Sequence, residues 1–495
     1  MGLRDILIFA ALALAYRLIF QQRGRNWFLL VSSALAIYWL QPLAPIRYMD
    51  FWLPTATLGL VVFSWLITTP PEGRDWRENW PAAAALAGIV LLVGLTRFLS
   101  LDGLLTAGRP PLFDQVALSV IAIAGLAWLL SLQTLKVSKT FRVLLVSVWI
   151  VLLIALLVVL KLPALAQLAS AGLRALMGQD ASLASATDLR WLGFSYLAFR
   201  LVHTLRERQN GRLPVVTLQE YVIYVIFFPS FTAGPIDRLE RFIKDLRPGA
   251  SNPGKIPPET KVSGYSSGNN DYVVAGQRLV VGLFKKFVVA DSLALVALNA
   301  ANAAQVHSAG WMWLLLYAYT LQIFFDFSGY TDIALGLGRL VGIALPENFN
   351  APYLKPNLTQ FWNSWHMTLT QWFRAYYFNP LTRWLRTGGR KLSTAAIIFI
   401  TQITTFVLIG LWHGITWNFV LWGAWHGLGL FAQNRYSEWV RPRLPDLAAR
   451  PSLKQGLAVA GGLLTFHYVA LGWVWFALPS TGLSWQVFLK LFGVR

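Results

Sequence analysis

The sequence predicts an all-α, polytopic membrane protein, and three observations lead there. Apolar residues fill 56% of the 495 positions while charged residues fill only 13%, about half the charged share of a soluble domain. The mean hydropathy is +0.53; a soluble fold of this length lacks the polar shell to cover so much apolar surface. Apolar runs also recur at the length of about 20 residues that crosses a bilayer core of roughly 30 Å.

The elements follow in order. The first apolar run, Ile6–Phe20, has no small-residue cleavage site and is followed by Arg23 and Arg25, so it reads as a span and not a signal peptide. Further runs lie at Trp27–Leu43, Phe51–Thr69, Pro81–Leu99, Gln115–Leu132 and Arg142–Leu162. Later ones lie near Val273–Ala303, Trp311–Ile343, Ala395–Leu411, Phe419–Phe431 and Leu457–Leu478. The stretch 480–495, with Trp485, Phe488 and Phe492 near Lys490, reads as a surface helix. The 23 Trp, 16 Tyr and 31 Phe suit interfacial belts.

Basic loops set the orientation. Arg74/Arg77, Lys136/Lys139/Arg142 and Arg206/Arg208/Arg212 alternate with weakly charged loops at 41–50, 98–114 and 163–190, which places the N-terminus outside. The net charge of +20 belongs to such cytoplasmic loops and not to nucleic-acid binding, because no compact basic module stands out. Alternation then fails. The short apolar run 219–234 is followed by Arg238, Arg241, Lys244 and Arg247, which a simple crossing would leave outside. A re-entrant segment restores the rule, and irregular backbone at membrane depth needs a protein-lined or wet cavity. The organisation is N-terminal transmembrane helices over 1–180, a functional core over 190–432, where nearly every unusual residue falls, with a flexible cytoplasmic loop at 248–271, and C-terminal helices over 453–495.

Chemistry concentrates in the core. The chain has no cysteine, which removes a thiol nucleophile, disulfides and thiolate metal sites. Six histidines remain. His413 closes the apolar run that begins near Ala395; the basic flank Arg383, Arg386, Arg390 and Lys391 puts it about 27 Å along the helix, toward the outer side. Two readings stand: a general base for an acceptor hydroxyl, or a structural histidine bonded to a backbone carbonyl. Trp-His-Gly recurs at Trp425-His426-Gly427, and His426, nearing Arg435, reads as structural or interfacial. His366 lies in FWNSWHMTLTQWFR, an interfacial helix by its aromatics, where Asn363 at i−3 would share its face. Asp326 and Asp332 fall in an apolar context, with Arg339 two turns beyond the latter; they line a channel or form a buried packing network. Arg238, Arg241, Lys285 and Lys286 suit the phosphates of a coenzyme or the positive-inside rule alone. No GxxxxGK[ST], GxGxxG, HExxH or GxSxG occurs, which leaves a nucleotide-driven pump unsupported.

Seven segments, in order, resemble the bacterial branch of the membrane-bound O-acyltransferase (MBOAT) family, which includes alginate O-acetylation and teichoic acid D-alanyl transfer proteins. They are GFSYLAFRLVH (193–203), FFPSFTAGPIDRLERF (227–242), GLFKKFVVAD (282–291), FDFSGYTDIALGLGRLVG (325–342), PENFNAPYL (346–354), FWNSWHMTLTQWFR (361–374) and LWHGITWNFVLWGAWHG (411–427). The resemblance implies an MBOAT-like ring of about 11–13 transmembrane helices with short re-entrant and interfacial helices. It implies that His413 is the buried catalytic histidine and His366 the second motif histidine, with Asn363 beside it; Asn363, Asp326 and Arg238 are the substrate-binding candidates, and no metal is expected. It further implies a cytoplasmic acyl thioester, acetyl-CoA in first place, whose acyl group passes to a hydroxyl outside. The implied partners are the lipid bilayer, a periplasmic or extracellular acyltransferase or small acyl-accepting protein, and an acyl carrier protein if the donor is carrier-borne; nucleic acid is not among them. The implied location is the bacterial cytoplasmic (inner) membrane. The alternatives are D-alanyl transfer from a carrier protein and a transporter without chemistry.

Overall fold

The computed structural model describes residues 2–20, 24–99, 105–136, 138–247, 271–389, 392–440, 443 and 451–494. No strand occurs among them. The loop expected at 248–271 lies outside the described residues except at its last position. The chain divides into two compact units, Met1–Leu279 with Ile333–Pro346, and Val280–Asp332 with Glu347–Arg495.

The first unit carries α1 (Leu3–Phe20), α2 (Arg25–Trp39), α3 (Met49–Thr68), α4 (Trp76–Leu95), α5 (Phe113–Lys136), α6 (Lys139–Lys161) and α7 (Pro163–Leu176). Next come α8 (Phe194–Gln209), α9 (Leu218–Ile226), α10 (Leu239–Leu246) and the start of α11 (Asp271–Leu283). Helices α5 and α6 expose Leu118, Ile121, Trp128, Leu144 and Leu152, side chains that call for lipid around them. Ser138 starts α6 by accepting from the Phe141 N–H, a standard N-cap.

The re-entrant reading of 219–234 has a clear structural counterpart. The nine residues of α9 reach only about 14 Å, against a bilayer core of about 30 Å. Thr217 and Glu220 form a capping box at its start. The chain then bends through Phe228–Ser230 and the cis Gly234-Pro235 bond before α10 begins. The bend's carbonyls are met from α8. Arg200, 2% exposed, donates to the carbonyls of Tyr224, Val225 and Ser230 and to the Ser230 hydroxyl. At the mouth of the bend, Arg247 bonds both carboxylate oxygens of Glu220 at 2.8 and 3.0 Å. Entry and exit of the segment therefore lie on one side. The backbone N–H of Leu239 donates to His203 Nε2 on α8 at 3.1 Å, and Arg25 donates to the carbonyls of Asp245 and Leu246 at the end of α10.

The second unit continues α11 through a π-helical turn, Phe284–Ala290, into α12 (Asp291–Ala294) and α13 (Ala300–Gln305), then into α14 (Ala309–Leu340) as far as Asp332. It resumes with α15 (Leu358–Trp362), α16 (Met367–Phe373), a π turn at Arg374–Phe378, α17 (Asn379–Thr387), α18 (Thr394–His413), α19 (Trp417–Trp439), α20 (Pro451–Ala477) and α21 (Thr481–Leu491). Helices α18 and α19 fold back on each other across Gly414–Thr416, with their backbones in contact. A Cβ on Gly423 would strike the Phe406 carbonyl and sit 2.6 Å from Val407 Cα, and one on Gly427 would sit 2.9 Å from Ile403 Cα. Small residues at such crossings permit the close approach. Helix α21, eleven residues long, buries Ser484, Val487, Phe488 and Leu491. It is too short to cross, as a surface helix should be. Asn418 holds it by donating to Ser484 Oγ at 3.0 Å.

Among the described residues, six helices are long and apolar enough to cross a membrane: Met49–Thr68, Trp76–Phe98, Phe113–Leu132, Thr140–Lys161, Thr394–His413 and Pro451–Ala477. The long helices α14 and α19 also carry Asp326, Asp332 and Arg339, and His426 and Arg435, respectively. The protein is multi-pass.

Candidate functional site

His413 is the last residue of α18. Twenty residues at 1.5 Å each bring it about 28 Å from Thr394, the depth expected from the sequence. It is half-buried, and aromatic rings wall it in. Trp412 lies 4.5 Å away between ring centroids, Phe476 4.8 Å, Trp422 5.7 Å and Phe419, stacked, 6.0 Å. The tight turn after Gly414 folds Phe419 and Trp422 of α19 back over the imidazole.

His366 is held differently. It is 4% exposed and N-caps α16 with φ 41° and ψ 54°, a left-handed conformation that costs a non-glycine residue free energy and persists only where surroundings impose it. Asn348, fully buried, supplies that constraint. Its carbonyl accepts from the Met367 N–H, and its side-chain oxygen accepts from the Thr368 N–H and hydroxyl at 3.2 and 2.7 Å. The His366 ring meets the edge of Phe327 at 4.7 Å and lies 6.2 Å from Trp412. Trp412 thus touches both histidines.

The helical pairing expected of Asn363 and His366 does not occur. Helix α15 ends at Trp362, and the chain breaks before α16. Asn363 is exposed while His366 is buried. Asn363 instead accepts from Arg374 at 2.7 Å, and both line a cavity of about 160 Å³ together with Trp362, Gln402, Thr405 and Ile409. Ile409 sits one helical turn before His413 on α18.

Asp326, half-exposed, is bonded by Lys286 at 2.5 Å; Asp332, buried, is bonded by Lys285 at 2.7 Å. One partner of Asp332 is therefore a lysine of the π turn, which the sequence had not paired with it. Both lysines already hold carboxylates. Gly329 lets the helices meet between the two pairs: a Cβ there would lie 2.8 Å from the Gly282 carbonyl and the Lys286 nitrogen. Residue 327, next to Asp326, is the phenylalanine on His366. Arg238 belongs to the first unit, where it is exposed at the N-cap of α10.

His426 fits the structural alternative of its reading. It is fully buried between Trp362 at 4.9 Å and Trp422 at 5.0 Å, and neither ring nitrogen has a hydrogen-bond partner among the described residues. Trp412, Trp422, Phe476 and Arg374 were not singled out from the sequence. Their aromatic neighbours look like interfacial belts there, and only the repeated Trp-His-Gly hinted at Trp412.

Comparison with known proteins gives the family. The family model described as MBOAT, membrane-bound O-acyltransferase family, matches residues 111–466. A teichoic acid D-alanyltransferase of Bacillus subtilis is 29% identical over 293 residues, 58% of this chain and 69% of that protein. A probable alginate O-acetylase of Pseudomonas aeruginosa is 30% identical over 302 residues, 61% of this chain and 51% of its own length. A peptidoglycan O-acetyltransferase of Helicobacter pylori is 31% identical over 306 residues, covering 59% and 52%. The aligned stretch thus spans only about half the length of the two O-acetylation relatives.

Proposed function

Since the chain belongs to the membrane-bound O-acyltransferase family, we propose that it transfers an acyl group, acetyl in first place, from a cytoplasmic thioester to a hydroxyl on an extracytoplasmic polysaccharide or a partner protein. It would act in the bacterial cytoplasmic membrane. The observation that carries this reading is His413 itself: a half-buried imidazole at the far end of a spanning helix, walled by four uncharged rings.

In this reading the neutral His413 imidazole takes the proton of the acceptor hydroxyl. The freed oxygen attacks the thioester carbonyl, the carbon–sulfur bond breaks, and the imidazolium returns its proton to the departing thiolate. The aromatic wall excludes water that would hydrolyse the thioester, and its uncharged faces suit a small neutral acyl group. His366, fixed by Asn348 and sharing Trp412 with His413, orients the reacting groups. The cavity at Asn363 and Arg374 takes the donor's polar arm from the side of Gln402, with Asp326 a further candidate on the same unit; Arg238, on the first unit, is by itself a candidate contact for a phosphate. D-alanyl transfer from a carrier protein is the second reading, favoured by the Bacillus subtilis relative.

The test uses membranes carrying wild type or His413→Ala and radiolabelled acetyl-CoA, with label followed into protein and polymer fractions. His413-dependent labelling is expected. Equal labelling in both samples would remove His413 from the chemistry. Labelling only from a D-alanyl carrier protein would replace acetyl with the second reading.

A further inference from the structure

A second concavity lies within the first unit, on the face opposite the basic loops. It encloses about 340 Å³ and is lined by Leu157, Leu160, Lys161, Leu189, Arg190 and Trp191, among others. Two cations line it, and no lining side chain is a carboxylate. The nearest acid in sequence, buried Asp188, is taken by Ser170 at 2.7 Å and Arg174 at 2.9 Å. The Arg190 guanidinium has no ion-pair partner among the described residues.

The wall is fixed in place. Gln41, 2% exposed, donates to the Arg190 carbonyl at 2.7 Å and accepts from the Leu192 N–H at 3.1 Å. Trp191 donates its indole N–H to Thr57 at 2.9 Å. Lys161 ends α6, so the cavity sits where a spanning helix meets the interface. Beside it, α7 presents Leu168 and Leu176, 69% and 79% exposed, as a helix lying in lipid does. Lys161 is partly buried and Arg190 exposed, and both line one concave, leucine-walled space that Trp191 also lines.

We infer that this cavity binds the phosphate of an anionic phospholipid from the leaflet opposite the basic loops, with Lys161 and Arg190 on the headgroup and an acyl chain along Leu157 and Leu160. The leucine walls favour a lipid over a soluble anion or an acidic polysaccharide. A cation near a membrane surface contributes about 1 kcal/mol toward anionic lipid, so losing each weakens binding about fivefold.

The full chain purified in detergent tests this by native mass spectrometry and thermal unfolding. The probes are phosphatidylglycerol, phosphatidylethanolamine, inorganic phosphate and an acidic oligosaccharide. Wild type should retain and be stabilised by phosphatidylglycerol alone. Lys161→Gln with Arg190→Gln should lose that response, while Arg47→Gln, an exposed cation of the preceding loop, keeps it; Lys161→Arg should keep it too and guards against misfolding of the double variant. An unchanged phosphatidylglycerol response in the double variant, or a response equal to phosphatidylethanolamine, overturns the inference. Stabilisation by inorganic phosphate alone, or by the oligosaccharide alone, replaces the lipid with that anion and overturns it equally.

Discussion

Arg247 grips Glu220 through both carboxylate oxygens, joining the residue that opens the re-entrant segment to the one that follows it. Glu220 is buried and also caps α9 through the Thr217 N–H at 3.0 Å. Arg247→Ala leaves that carboxylate without its cation. The expected loss is about 1–2 kcal/mol, because the arginine itself is half-exposed. Thermal unfolding in detergent should show it, and unchanged unfolding would mean that Arg200 alone closes the segment.

His366 separates backbone from imidazole. Asparagine tolerates the left-handed region better than histidine. His366→Asn should therefore keep or slightly raise the unfolding temperature while transfer falls by 10²-fold or more, the range of a lost acid–base or orienting group. If stability and transfer fell together, the ring's role would be packing against Phe327.

Gly423 holds α18 against α19 with no room for a methyl. Gly423→Ala must part the backbones near Phe406 and Val407, at an overpacking cost of about 1–3 kcal/mol. It also shifts Trp422 and, through it, His413. Reduced transfer in protein that still inserts is expected. Full activity would show that the hairpin yields without moving the imidazole.

Asp188 gives a pH dependence. Burial pushes its carboxyl up, but bonds from Ser170, the Ser185 N–H and Arg174 outweigh burial and hold it below its ordinary value. A depressed carboxylate stabilises the folded state above its unfolded pKa of about 3.9, and that contribution fades as pH falls through the folded value. Wild type should lose stability as pH drops below about 4. Asp188→Asn should be weaker at neutral pH and lack that component of the acid slope; parallel slopes would assign it to other carboxylates.

The spans were legible because an apolar run near 20 residues has few other fates, and His413 because its distance from a basic flank is one-dimensional. The break between Trp362 and His366 was not. FWNSWHMTLTQWFR has no glycine or proline to mark it, and Asn348 imposes it from a distant segment. The lysine partners of Asp326 and Asp332 escaped for the same reason: Lys286 and Lys285 lie 40 and 47 residues away and meet them where Gly329 lets two helices touch. The re-entrant segment was legible as a contradiction in charge alternation, but nothing in the sequence singled out its anchor, Arg200.

That anchor also constrains biogenesis. A nine-residue helix is too short for the insertion machinery to release as a membrane segment, and its bent C-terminal carbonyls have no acceptable partner in lipid until Arg200 arrives. Because α8 is synthesised first, the arginine is already in place when α9 emerges from the ribosome. The segment from Leu218 to Leu246 therefore joins the bilayer by docking onto a preformed helix, and a nascent chain with α8 deleted would leave it stranded at the cytoplasmic surface.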